Sequence, residues 1–264
     1  MQSFMTRRSF LPAAGAAALG GGAAEAAPKQ NAWIEIGIAH MRNTHENQPK
    51  RVADYYRDAV VPALTRAGAG PIGVFNCSIG TGAPFMMTVV SYPSFAAYGE
   101  LMGKLMGDTE FLNASRAFDL QQGLSYERAE NSMLRAFDGM PTVVPPPVEG
   151  TRPPRVFEVR MYESNSASSL RTKIKMFNEG EIGIFQRLGM SPVFFGQTII
   201  GRNQPNLVYM LAFDDMAHRE RAWKAFGSDP EWQKMRVMPG YSDPDIVSNI
   251  TNFIVSPLPF SAIR

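Results

Sequence analysis

Apolar and polar residues alternate in two short stretches of the chain, which predicts β-strands there. Apolar side chains occupy every second position at 34–38, and the same alternation returns at 157–161. After the first stretch, apolar residues recur at steps of three and four between residues 52 and 67, which predicts an amphipathic helix. A helix also follows the second stretch, so each half of the chain begins with a strand and a helix.

The remaining pattern predicts three more strands and a second helix in each half. Pro62 and Gly183 lie inside the first helices and predict a kink at the same place in both. Gly68 and Gly189 are expected to end these helices as C-caps. The second strands are predicted at 72–79 and 193–200, the third at 86–92 and 207–213, the second helices at 94–106 and 215–227, and the fourth strands at about 131–137 and 250–256.

The two halves are related by an internal repeat. Shifting the sequence by 121 positions places residues 50–112 on residues 171–233 without a gap. Asp108 falls on Asp229, and both are expected to cap a further short helix. Aromatic positions are matched as well, as at Tyr56 and Phe177. We interpret the repeat as a duplication.

The order strand, helix, strand, strand, helix, strand in each half predicts an α+β fold. It gives a four-stranded antiparallel sheet with both helices on one face, which is the ferredoxin-like βαββαβ module. Two tandem modules can bury their uncovered sheet faces on each other, so we predict a pseudo-dimeric α/β barrel. A proline-rich stretch predicts a semi-rigid linker between the modules. The predicted domains are a first module at 32–140, the linker at 141–154 and a second module at 155–261.

The N-terminal residues predict an export signal. Arg7 and Arg8 precede an uncharged stretch rich in alanine, glycine and leucine, which is the pattern of a twin-arginine signal peptide. Small residues at Ala24 and Ala26 offer a cleavage site, so we assign residues 1–27 to the signal peptide. The apolar stretch is short for a bilayer span. We therefore expect a periplasmic or secreted protein with no stable membrane span after signal removal.

Composition disfavours several classes of function. The formal net charge is +2, so bulk charge gives no reason to expect a nucleic-acid partner. Cys77 is the single cysteine, so no disulfide can form within the chain. The sequence contains no phosphate-binding glycine loop, dinucleotide fingerprint or nucleophile elbow. Phosphoryl transfer, nicotinamide chemistry and serine hydrolysis are therefore disfavoured.

The second half resembles the NIPSNAP family over residues 155–261. The resemblance is carried by the first strand at 157–162, Gly189 with Pro192, the Asp-Pro-Glu-Trp motif at 229–232 and the tail at 256–261. It implies a dimeric α/β-barrel fold and a family with no generally assigned reaction, associated with trafficking or binding roles.

The first half shares this resemblance only through the repeat. Glu35 stands where the second half has Glu158, but the arginine and tyrosine that follow Glu158 have no counterpart. We therefore interpret the first module as degenerate and as a scaffold for the second.

Glu158, Arg160 and Tyr162 form the main candidate site. They occupy alternate positions of one strand and share one of its faces. We expect the apolar residues between them to pack on the helices, so that the polar three point into the barrel. An arginine there can clamp an anionic ligand, while the glutamate or the tyrosine holds or moves a proton. The alternative is an internal salt bridge that fixes how the two sheets pair.

Two weaker candidates lie elsewhere. Glu181 is near the apolar stripe of its helix, where a buried carboxylate with a raised pKa could act as a base. The alternative is that the kink at Gly183 turns Glu181 outward. His40, His45 and Glu46 are spaced loosely like metal ligands, and we interpret them as solvated loop residues, so no metal site is predicted.

Three functions fit these observations. The leading hypothesis is binding of a small, partly apolar molecule in the barrel cleft, with Glu158, Arg160 and Tyr162 as ligand contacts. The first alternative is an enzyme of the monooxygenase or isomerase type found on this fold, with Glu158, Tyr162 or Glu181 as catalytic candidates. The second alternative is a structural or protein-interaction module. The sequence specifies neither a ligand nor a cofactor, and it leaves catalysis and homo-oligomer formation open.

Overall fold

The computed structural model of the protein describes residues 30–148 and 153–264. The predicted signal peptide at 1–27 lies outside the described residues, as do residues 149–152 of the predicted linker. The strands are β1 Trp33–His40, β2 Ile72–Ile79, β3 Phe85–Tyr92, β4 Arg128–Ala136, β5 Val156–Glu163, β6 Ser191–Ile200, β7 Asn206–Phe213 and β8 Asn249–Pro257.

Apart from the short last helix, which was not predicted, the helices follow the order that the sequence predicts. They are α1 Gln48–Tyr55, α2 Val61–Ala67, α3 Phe95–Gly107, α4 Thr109–Asp119, α5 Ala167–Met176, α6 Ile182–Arg187, α7 Met216–Ser228, α8 Pro230–Met235 and α9 Asp243–Ile246. In the part of the chain that the structure describes, none of them is long and apolar enough to cross a membrane.

The eight strands of the described residues join in one closed antiparallel barrel, in the order β1-β3-β2-β8-β5-β7-β6-β4. Each module contributes a ferredoxin-like sheet to that closed order, β4-β1-β3-β2 from the first and β8-β5-β7-β6 from the second, with its first strand next to its third and fourth. The two sheets meet where β2 pairs with β8 and where β4 pairs with β6. Closure leaves neither sheet with an open edge. The predicted pseudo-dimeric α/β barrel is confirmed, while the domain boundaries stay a prediction.

Both first helices contain a π-helical turn, at Tyr56–Val60 and at Phe177–Glu181. The 121-residue shift superposes the two turns. In each, the next N–H bonds to a carbonyl five residues back, as from Val61 to Tyr56. A local change of helical pitch of this kind bends a helix. The kinks expected near Pro62 and Gly183 therefore take the form of π-helical turns just before those residues.

The predicted caps are also present. Gly68 and Gly189 have φ of 101° and 73°, the left-handed region that a glycine adopts without strain. Asp108 accepts a hydrogen bond from the N–H of Phe111, and Asp229 accepts from the N–H groups of Glu231 and Trp232. These caps fix where α4 and α8 begin.

The barrel interior is apolar and is closed at one end. Val143, in the proline-rich stretch, and Ile263, near the C-terminus, are both buried there. Backbone hydrogen bonds hold these segments, from the N–H of Val144 to the carbonyl of Val193 and from that of Ala262 to Ile72. The opposite end, where β1 ends and β3 begins, is lined by the mouth cavity described below.

Candidate functional site

The polar residues of β5 face the helices, so the prediction that they point into the barrel is wrong. Phe157 and Val159 belong to the apolar cluster inside the barrel. Glu158, Arg160 and Tyr162 lie on the other face of the strand, beneath α7 and α5. Both faces of this strand are buried, so alternation alone could not tell the inner face from the outer one.

Glu158 is fully buried and its carboxylate is saturated with donors. Arg219 donates to both oxygens at 2.7 and 2.9 Å, and Trp223 Nε1 donates to Oε2 at 2.6 Å. Arg160 Nη1 donates to Oε1 at 2.9 Å, and Asn252 Nδ2 does so at 3.2 Å. Burial alone would raise the pKa of Glu158, but the arginines and Trp223 outweigh it and hold the pKa below its usual value.

Arg160 and Tyr162 are engaged in the same network. Arg160 Nε donates to the Tyr162 hydroxyl at 3.2 Å, and the Tyr209 hydroxyl donates to the same oxygen at 2.8 Å. The guanidinium of Arg160 also lies 4.7 Å from the ring centroid of Trp223. The geometry is that of an internal salt bridge, but it ties the sheet to α7 and does not join the two sheets. A ligand-binding role for these residues stays a prediction.

Arg219 and Trp223 complete this network and were not recognised from the sequence. They are four residues apart on α7 and therefore project from one helical face toward β5. That spacing was the available signal. The spacing alone does not show which strand the helix packs on, because the position of α7 over β5 depends on the tertiary structure.

Glu181 is buried, so the alternative in which the helix kink turns its side chain outward is wrong. Its side chain is 3% exposed, and its Oε1 lies 2.7 Å from Nζ of Lys173, which is 1% exposed. Burial raises the pKa of Glu181, and the charge of Lys173 opposes that rise. The ammonium also lies 5.0 Å from the ring centroid of Phe177. A carboxylate paired in this way is poorly placed to act as a base.

His40 is the last residue of β1 and not a loop residue as expected. His45 is exposed in the following loop. Among the described residues, no group of three or more histidine, cysteine, aspartate or glutamate side chains is placed to hold a metal ion. His40 instead lies at the open end of the barrel. Its Nε2 is buried and forms no well-directed hydrogen bond, although Oε1 of Glu130 is 3.3 Å away.

A cavity of about 280 Å³ occupies this open end, and we call it the mouth cavity. Its walls are mostly apolar side chains that point inward from both modules. Its rim is polar. The lining residues are Ile36, Ile38, His40, Thr81, Phe85, Glu130, Ser132, Val159, Met161, Arg202, Asn203, Val208, Thr251 and Phe253.

The rim carries the ion pair of Glu130 and Arg202, and Arg128 lies next to Glu130 outside the cavity lining. Glu130 Oε1 lies 2.6 Å from Nη1 of Arg202 and 3.2 Å from Nε of Arg128. Burial would raise the pKa of Glu130, but these arginines hold it below its usual value. One carboxylate therefore faces two guanidinium groups, and an arginine has more N–H donors than one carboxylate can accept from. The rim can take up a further acceptor group.

One family model matches the second half of the chain. Residues 157–262 match the NIPSNAP family model. No curated protein matches the chain. A NIPSNAP-family protein of unknown function from Agrobacterium tumefaciens is similar over 44% of this chain and 100% of its own, with 20% identity and a TM-score of 0.38.

The solved structures that are similar over most of the chain include two candidate monooxygenases. A candidate monooxygenase from Lactobacillus acidophilus covers 86% of this chain and 94% of its own, with 7% identity and a TM-score of 0.58. A candidate monooxygenase from Fusobacterium nucleatum covers 87% and 93%, with 7% identity and a TM-score of 0.56. At these identities the similarity establishes the fold alone. The comparisons thus match residues 157–262 to the NIPSNAP family model, and these residues belong to the half of the chain that completes the barrel.

Proposed function

We propose that this protein binds a small, partly apolar molecule with one acceptor or anionic group in the mouth cavity between its two modules. The observation that carries the proposal is the buried Nε2 of His40, which forms no well-directed hydrogen bond at the polar rim of a mostly apolar cavity. Buried polar atoms in native proteins are almost always hydrogen-bonded. A ligand group at the rim would supply the missing partner.

The shape of the cavity supports an amphipathic ligand. Phe85 and Phe253 meet edge to face at 5.3 Å between ring centroids and form an aromatic wall. An apolar body would pack against that wall, while its polar group stays at the rim beside His40 and Arg202. Apolar pockets with a few convergent polar groups are typical of small-molecule sites.

Binding can be tested with 2-naphthoate, a fluorescent molecule with an apolar body and one carboxylate, and with uncharged naphthalene. Met161→Trp fills the mouth cavity and should abolish binding of both probes. Arg202→Ala should weaken naphthoate about tenfold and leave naphthalene unchanged, since a charge-assisted hydrogen bond is lost.

Ile199→Trp is the matched control, because Ile199 is 40% exposed and does not line the cavity. It should bind both probes like the unmodified protein. Naphthoate affinity that is unchanged in a folded Met161→Trp protein would refute the mouth cavity as the site. Mass spectrometry of extracts from the purified protein would identify a natural ligand that copurifies with it.

We further propose that the twin-arginine signal delivers the folded protein to the periplasm or beyond. The support is the pattern around Arg7 and Arg8. Replacing both arginines with lysine should retain the full-length precursor inside the cell, as immunoblots of fractionated cells would show. Continued export of that variant would refute this route.

The other two functions stay predictions. An enzyme of the monooxygenase type has support only from structural neighbours that share the fold. No observation on the described residues supports an interaction role for the helices.

A further inference from the structure

A second cavity, of about 150 Å³, lies in the first module between the outer face of the sheet and the helices. We call it the sub-helix cavity. It is separate from the mouth cavity, because it lies on the opposite face of the sheet and shares none of its lining residues. Glu35, Tyr56, Thr88, Tyr92, Met102 and Asn131 contribute to its lining.

The sub-helix cavity exists because the first module has shorter side chains than the second module at equivalent positions on the outer face of the sheet. In the second module, Arg160 lies on β5 opposite Tyr209. In the first module the same register pairs Gly37 with Thr88. The volume that a guanidinium and a phenol fill above one sheet is therefore left open above the other.

Met102, in the lining of the sub-helix cavity, is also smaller than its counterpart in the second module. The 121-residue shift places Met102 on Trp223, whose indole covers Arg160 and Glu158 in the second module. A thioether is smaller and more flexible than an indole. The roof of the cavity is thus also reduced in size.

Polar groups with unused hydrogen-bonding capacity line the cavity. Glu35 accepts one hydrogen bond, from the Tyr92 hydroxyl at 2.8 Å, and has no ion pair with any described residue. Burial raises the pKa of Glu35. The hydroxyls of Thr88, which is 7% exposed, and of Tyr56 make no hydrogen bond within the described part of the chain. These hydroxyls open onto the cavity, so a molecule bound there can form the hydrogen bonds that they lack.

Gly37 keeps this space open. A Cβ atom at Gly37 would lie 2.5 Å from Oγ1 of Thr88 and 3.2 Å from Oδ1 of Asn131. Any side chain there would displace these two polar tips. The glycine thus places a hydroxyl and an amide over bare backbone, next to Glu35.

We propose that the sub-helix cavity binds a compact, uncharged ring compound with one hydroxyl, of the phenol class, whose hydroxyl hydrogen-bonds to Glu35. The volume suits a single aromatic ring, since a cavity of about 150 Å³ accommodates benzene. Val90 and Leu64 supply apolar walls. A carboxylate ligand is disfavoured, because Glu35 has no cation beside it to offset a second negative charge.

The experiment uses p-cresol as the probe, with benzoate as an anionic comparison of similar size. Binding of p-cresol should shift the NMR signal of the Met102 methyl group and raise the melting temperature of the full chain. Benzoate should bind at least about tenfold more weakly. Two variants place the residue types of the second module into the cavity, Thr88→Tyr and Met102→Trp, and each should reduce p-cresol affinity at least about tenfold.

Met161→Trp is the matched control, because it fills the mouth cavity and should leave p-cresol binding unchanged. Naphthoate binding in the mouth cavity should in turn survive Met102→Trp, so failure at one site is distinguishable from failure at the other. Unchanged p-cresol affinity in both filled variants, with cooperative unfolding retained, would overturn the proposal. Equal affinity for benzoate and p-cresol would do so as well.

Discussion

Glu35 and Glu158 occupy the same position in the two modules, yet only Glu158 is paired with arginine. Glu35 lies opposite Val90 and Met133 in its sheet, and Glu158 lies opposite Leu211 and Ile254, which the repeat equates with them. Glu158 receives hydrogen bonds from Arg160 and Arg219, whereas Glu35 receives one from a tyrosine. Glu158 thus stabilises the second module as an anion. Glu35 lies in a cavity that disfavours its negative charge.

Glu158→Gln should destabilise the protein at neutral pH by about 3 kcal/mol, because two arginines lose a buried anion. The folded pKa of Glu158 is below its ordinary value of 4.5, so its contribution is complete above that value. The contribution is lost as pH falls through the lower folded pKa. Urea unfolding at about pH 7 and about pH 3 should therefore show the deficit shrinking in acid; a deficit independent of pH would contradict it.

Glu35→Gln should show the reverse pH dependence. The folded pKa of Glu35 is raised above 4.5, so the native state favours the protonated carboxyl. The stability of the unmodified protein that depends on Glu35 is present below 4.5 and is lost as pH rises through the folded pKa. Glu35→Gln removes that loss, so its stability relative to the unmodified protein should improve from about pH 4 to about pH 7. The same difference in unfolding free energy between the two proteins at both pH values would contradict the raised pKa of Glu35.

Lys173 and Glu181 should behave as a coupled buried pair. The repeat places Val52 and Val60 at their positions in the first module, so the fold tolerates apolar residues there. Lys173→Val or Glu181→Val alone should cost about 3–5 kcal/mol, since each leaves an uncompensated buried charge. The double variant should be closer to the unmodified protein than either single one. A double-mutant cycle from urea unfolding measures the coupling, and additive losses would rule it out.

Gly37→Ala should destabilise the first module by about 2 kcal/mol, because the new Cβ meets Oγ1 of Thr88. Adding Thr88→Ala removes that contact and should recover part of the loss. Gly99→Ala on α3 is the control, since a Cβ there meets no atom within 4 Å. Gly99→Ala is expected to be neutral or slightly stabilising. Thermal unfolding of the four proteins tests the argument, and equal losses at Gly37 and Gly99 would refute it.

Ile263→Ala should loosen the closed end of the barrel. Ile263 is fully buried, so losing its side chain should cost about 3 kcal/mol. Ile199→Ala is the comparison, because Ile199 is 40% exposed and should cost less than about 0.5 kcal/mol. Urea unfolding of both variants is sufficient. Similar small losses would mean that the C-terminal segment does not contribute to the barrel core.

Much of the fold could be predicted from periodicity and the repeat. Every predicted strand is present, and the caps at Asp108 and Asp229 are in place, because these features depend on neighbours along the chain. The inner face of β5 could not be predicted. Both faces of the strand are buried, and the partners that satisfy Glu158 come from Arg219 and Trp223, far along the sequence.

The candidate sites were harder to predict than the fold. The mouth cavity depends on which end of the barrel Val143 and Ile263 close, and the sub-helix cavity depends on side-chain size at Gly37, Thr88 and Met102. These residues lie on different elements, and no local pattern connects them. The absence of an arginine after Glu35 was visible in the sequence. Its consequence, an open space where the second module is filled, required the register of three strands.

The pairing of β2 with β8 also constrains how the protein can be made. Strand β2 is synthesised early, but its outer edge has no partner until residues 249–257 leave the ribosome. An unpaired strand edge of this kind is prone to join other chains. The first module therefore leaves the ribosome with the backbone N–H and C=O groups of one β2 edge unpaired, and β8 pairs with that edge in the finished barrel. Nascent chains that stop before β8 should be substrates for chaperones and proteases. The barrel can close only after β8, the last strand along the chain, has been synthesised.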